Sequence, residues 1–100
     1  MQKPGRQTQY KQARVTQDEA AHLRRKYKQE TFGVAQLLAK AEADPLPSMP
    51  WVDAVPEDRR TFVHMRDHDY PTLCAQAEKL KAKPAKYLRA LIARDRKRKK

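Results

Sequence analysis

Sixteen large aliphatic or phenyl side chains have to serve a chain of 100 residues with a formal charge of +11, and this shortage constrains folding more than any other feature. They are eight Leu, five Val, one Ile and two Phe. When these residues make up less than about a fifth of a chain and net charge is high, a globular interior is not normally filled. Fourteen alanines raise the nominal hydrophobic content to 39% but add little surface to bury. Ordering a residue costs roughly 1.5 kcal/mol. The composition therefore predicts a chain that is poorly folded alone and takes its shape from a partner.

The charge is unevenly placed. Residues 79–100 hold eleven Lys and Arg against one acid, Asp95, whereas the preceding 78 residues carry twelve bases and eleven acids. One strongly basic end suits a polyanion, and nucleic acid is the first candidate. A nuclear-localisation cluster and a membrane-surface patch are the other readings of such a run. No apolar stretch approaches membrane-spanning length, so no membrane span is expected. Cys74 is the only cysteine, which excludes an intrachain disulfide and zinc-finger spacing, and it reads as a small buried thiol on a helix.

In chain order, residues 1–15 read as an extended basic arm. Pro4 and Gly5 discourage helix, and Lys3, Arg6, Lys11 and Arg14 follow one another with two to four residues between. Thr16-Gln17-Asp18-Glu19 is a capping box that opens an amphipathic helix over residues 16–44. Its apolar stripe runs through Ala20, Leu23, Tyr27, Val34, Leu38 and Ala41, with a kink or break allowed at Phe32-Gly33. Arg24, Arg25 and Lys28 lie on the other face. Residues 45–55 form a Pro-rich linker, because three prolines in six residues forbid helix, and Trp51 projects from it as an anchor.

Residues 56–100 read as a helical segment ending in a basic tail. A helix opens at Pro56 and passes through Phe62, Val63 and Met65; another spans residues 72–82; a last one starts at Pro84. His64 and His68, four apart on such a helix, could in principle ligate zinc, but no third ligand is suitably placed. No metal, cofactor, small-molecule substrate or catalytic residue is therefore expected. The chain shows no evident internal repeat and no strand-like alternation. The fold class expected is all-α, with extended, non-globular helices.

Four segments together are similar to a known family. Pro4-Gly5-Arg6-Gln7, the helix end Glu42-Ala43-Asp44, the turn Ser48-Met49-Pro50-Trp51 and the late segment Lys83-Pro84-Ala85-Lys86-Tyr87-Leu88 resemble, in the same order, the mitochondrial large-subunit ribosomal protein sixty-three family. The resemblance implies a non-enzymatic subunit of the mitochondrial ribosome in the matrix, lying on ribosomal RNA among neighbouring mitoribosomal proteins. It supplies no catalytic residues.

Charge and spacing supply the expected contacts. Lys3, Arg6, Lys11, Arg14, Arg24, Arg25, Lys28, Lys86, Arg89, Arg94, Arg96, Lys97, Arg98, Lys99 and Lys100 would neutralise RNA phosphates. Leu23, Tyr27, Leu38, Trp51 and Leu91 would anchor partner proteins. A helical adaptor or assembly-factor subunit of another protein or RNA–protein complex is the alternative from a different class.

Overall fold

Alternation decides the first element. Ala13 and Val15 are buried while Gln12 and Arg14 are exposed, the two-residue period of a strand. A computed structural model describes residues 10–50, 52 and 55–97. It places β1 at Tyr10–Thr16, α1 at Gln17–Tyr27, α2 at Glu30–Ala43, a 3₁₀ turn at Glu57–Arg59, β2 at Arg60–Arg66, α3 at Asp69–Lys79 and α4 at Pro84–Lys97. Lys3, Arg6, Trp51, Arg98, Lys99 and Lys100 lie outside the described residues.

The expected extended, all-α chain is thus corrected to four helices and a two-stranded antiparallel sheet. The radius of gyration is 13.6 Å, close to the value of about 13 Å for a compact domain of this length. The residue count misled because Leu, Ile, Val and Phe are not the whole interior. Ala13, Ala20, Ala41, Ala77, Ala90, Met65 and Tyr87 are all at most 6% exposed and close the core with them. Small side chains let the backbones approach, so a modest apolar complement fills a small interior.

The strands pair in register from Tyr10 opposite Arg66 to Thr16 opposite Arg60, with Ala13 opposite Val63 at the centre. Val63 and Met65 face inward with Ala13 and Val15. The helix expected from Pro56 through Met65 is therefore a 3₁₀ turn followed by a strand: Thr61-Phe62-Val63-His64-Met65 alternates, and its β-branched and aromatic members favour the pleat.

Thr16 caps α1 as its sequence requires. Its Oγ accepts from the Glu19 amide at 3.2 Å, and the Glu19 carboxylate accepts from the Thr16 amide at 2.8 Å. The long helix expected from there breaks at Lys28, whose φ of 73° ends α1, rather than at Phe32-Gly33. Gly33 has a different purpose. A Cβ there would stand 3.0 Å from Leu23 Cδ2 and 3.1 Å from Tyr27 Cδ2, so the glycine lets α2 close onto α1. α3 starts three residues before the expected Thr72 and ends at Lys79. Lys81, with φ of 56°, then turns the chain, while its amide donates to the Glu78 carbonyl and that of Ala82 donates to the Ala77 carbonyl.

These elements make an internal repeat that the sequence does not advertise. Each half is strand, helix, helix, and the two strands cross about an axis through Ala13 and Val63, so position n of β1 matches n + 50 of β2. Glu19 corresponds to Asp69 and Leu23 to Leu73, and all four are buried. Four residues later in step, Val34, Leu37 and Leu38 correspond to Leu88, Leu91 and Ile92, also buried. Lys28 and Lys81, the two non-glycine residues with positive φ among those described, both turn the chain between a half's two helices. The halves are interlocked: α2 packs on β2, α4 packs on β1, α1 lies against α4, and α2 lies against α3.

Candidate nucleic-acid interface

Because one face of the ribbon covers the core, the other must point away from it. Gln12 and Arg14 of β1 and Phe62, His64 and Arg66 of β2 are exposed on that side, with Thr16 and Arg60 half-buried at one end. Across this face Gln12 sits opposite His64, with Nε2 to Nε2 at 3.0 Å, and Arg14 sits opposite Phe62. Phe62 is 43% exposed. The face is polar, basic and about 23 Å long at 3.3 Å or so per residue.

The interlocking brings the first turn of a helix to each flank of the ribbon. Beside β1, the start of α4 borders a groove of about 550 Å³ lined by Gln12, Arg14, Arg60, Lys83, Pro84 and Lys86 among others. Arg60 Nε is buried there and makes no hydrogen bond among the described residues. No acid lies in the first turn of α4. Beside β2, the start of α2 borders a groove of about 450 Å³ with Arg24, Lys28, Gln29, Glu30, Thr31 and His64.

The second flank differs because Glu30 occupies it. Its carboxylate accepts from the His64 amide at 2.9 Å, lies 2.8 Å from His64 Nδ1, and accepts from Arg24 Nε at 3.3 Å. Burial alone would raise the Glu30 carboxyl, but the His64 hydrogen bonds and the Arg24 charge outweigh it and hold its pKa below the ordinary 4.5.

The basic residues singled out by sequence divide into groups. Arg14 and Lys86 meet in the first groove, and Arg24 and Lys28 meet in the second. Lys11 is exposed at the ribbon's edge with Nζ 5.7 Å from the Tyr70 ring centroid, and Arg25 is exposed on α1. Arg89 is only 7% exposed and donates from Nε to Glu19 at 2.8 Å, so it serves the interior rather than the surface. Arg94, Arg96 and Lys97 belong to the last turn of α4, about 12 to 21 Å along the helix from Lys86 and Lys83. Arg94 is half-buried, with Asp44 at 3.9 Å. The described part of the tail and the ribbon therefore do not form one surface.

The expected protein anchors turn inward. Leu23, Leu38 and Leu91 are 0%, 2% and 2% exposed and anchor this chain's own core. Tyr27 is half-buried and donates its hydroxyl to Asp95 at 3.1 Å. Cys74 is half-buried on α3 rather than fully enclosed. His64 lies on a strand and His68 beyond its end, so the two share no helix face. Among the described residues no cluster of His, Cys, Asp and Glu could hold a metal ion, and no helix is long and apolar enough to cross a membrane.

Sequence reasoning passed over Gln12, Arg60, Phe62, Arg66 and Lys83. The signal that would have found them is the alternation around Ala13, Val15, Val63 and Met65, together with a shared spacing: Thr16, Glu19 and Leu23 in one half, Arg66, Asp69 and Leu73 in the other. The chain matches no protein-family model, no curated protein and no solved structure.

Proposed function

We propose that this protein binds duplex DNA by laying its two-stranded ribbon in the major groove, without catalysis. The observation that carries the reading is the outward ribbon face, where Gln12, Arg14, Phe62, His64 and Arg66 stand exposed on a rigid, core-backed pair of strands. The major groove of B-DNA is about 12 Å wide and admits a two-stranded ribbon. Strands about 4.8 Å apart, with side chains projecting from one face, fit that width. Arg and Gln are the side chains whose paired donors and acceptors match base edges, and exposed Phe suits the thymine methyl.

The flanks support the same placement. Lys83 and Lys86 beside the start of α4 can take phosphates on the groove's rim, where helix-terminal backbone amides add donors. The narrow, deep major groove of an RNA helix does not admit such a ribbon, which is why DNA is favoured over RNA.

Fluorescence anisotropy with a 20-base-pair DNA duplex, the separated strand and a structured RNA hairpin tests this reading. Tighter binding to the duplex is expected, with a log–log salt slope of about −4 to −5 for roughly five neutralised phosphates. A preference for the hairpin would overturn it in favour of the ribosomal subunit that the resemblance implies. Absence of binding to any of the three would overturn it in favour of the protein-complex adaptor.

A further inference from the structure

The two halves are alike in backbone but not in what they present, and we infer that the chain reads a duplex sequence lacking two-fold symmetry. This rests on the DNA-binding reading above and adds the class of site. A reader built from two identical units repeats its contacts about the axis, and its operators are palindromic for that reason. Here the axis through Ala13 and Val63 pairs unlike residues: Gln12 matches Phe62 and Arg14 matches His64.

The β1 side carries hydrogen-bonding readout. A Gln amide pairs with adenine N6 and N7, and the Arg14 fork pairs with guanine O6 and N7. The β2 side carries Phe62, which can only make apolar contact, His64, whose ring already lies 3.0 Å from Gln12 Nε2 and 2.8 Å from a Glu30 carboxylate oxygen, and Arg66, whose Nε already donates to Asp69 at 2.9 Å. The flanks deepen the difference. α4 packs on β1, so Lys83 and Lys86 border the groove that holds Gln12 and Arg14, with Arg60 and Phe62 of β2 on its wall. α2 packs on β2, so the carboxylate of Glu30 stands beside His64 and offsets part of the charge that Arg24 and Lys28 bring to that groove. Base readout and phosphate grip therefore coincide on one side of the axis.

Selection of binding sites from a random duplex pool by the full chain, read by sequencing, tests the inference. A motif without two-fold symmetry is expected, with its strongest positions on one side and a guanine among them. Arg14→Ala should lower affinity for the selected sequence about ten- to a hundredfold and flatten preference at that one position. Arg14→Lys keeps the charge but not the fork, so it should keep the salt slope and still lose the preference. Both variants should retain the wild-type circular dichroism melt, because Arg14 is exposed. A palindromic motif, or duplex binding with no sequence preference, would overturn the asymmetry while leaving DNA binding intact. Failure to enrich any duplex would overturn both.

Discussion

Glu19 and Arg89 join the first helix to the last, with the guanidinium Nε 2.8 Å and 3.1 Å from the two carboxylate oxygens and both residues less than a tenth exposed. The same carboxylate closes the Thr16 capping box. Removing the cation leaves Glu19 buried without this partner. Such a loss costs about 3–5 kcal/mol. Arg89→Met is expected to fall in that range in urea unfolding, and Glu19→Gln with Arg89→Met to cost less than the sum of the two single changes.

Asp95, the one acid among the last 22 residues, is 4% exposed and gathers cations from two other helices. Its carboxylate lies 2.8 Å from His22 Nε2, accepts from Lys26 Nζ at 3.0 Å and from the Tyr27 hydroxyl at 3.1 Å, all on α1, and has Lys40 Nζ of α2 at 3.5 Å. Burial raises its pKa, but these hydrogen bonds and the Lys26 charge outweigh that and lower it from 3.8 to about 2. On acidification the unfolded chain takes up this proton first. The stabilisation is therefore complete above pH 4 or so and lost as pH falls from about 4 to about 2. It amounts to about 2 kcal/mol. Asp95→Asn should remove that part of the acid transition, seen as a flatter dependence of the urea midpoint on pH across this window.

Gly33 should not tolerate alanine, although alanine is the better helix former by about 1 kcal/mol. The added Cβ would meet the fully buried Leu23 at 3.0 Å and Tyr27 at 3.1 Å, so side chains already packed between α1 and α2 would have to shift. Overpacking of this kind costs about 1–3 kcal/mol. A net loss of about 1 kcal/mol is expected for Gly33→Ala, measured as a lower Tm. An unchanged or higher Tm would show that α1 and α2 can separate without cost.

Local chemistry was legible in the sequence, and long-range pairing was not. The Thr16 capping box and the start of α4 at Pro84 are set by neighbours within a few residues. β1 and β2 are each seven residues long and stand 50 positions apart, so neither buries its inner face until the other arrives. Lys11 and Arg14 made the first strand read as a phosphate-seeking arm, and Pro56 with Glu57 and Asp58 made the second read as a helix start. Lys28 hid the break after α1, because a lysine with positive φ has no sequence signature comparable to glycine's. The candidate site was half legible for the same reason. Arg14, Lys86 and Lys28 stand out by their charge alone, whereas Gln12 and Phe62 gain meaning only from sharing a face of the ribbon.

The location of binding separates the ribbon from the tail, because both are basic and only one is backed by paired strands. Lys83 and Lys86 border the groove beside Gln12 and Arg14, whereas Arg96 and Lys97 lie at the far end of the same helix. All four are exposed, so replacing them with Gln should leave folding unchanged. If the ribbon enters the groove, Lys83→Gln with Lys86→Gln should weaken duplex binding equally for every sequence and reduce the salt slope by about 2. Arg96→Gln with Lys97→Gln should change affinity less than twofold. The reverse order of effects, in anisotropy titrations at several salt concentrations, would place the polyanion on the tail and take the ribbon out of the interface.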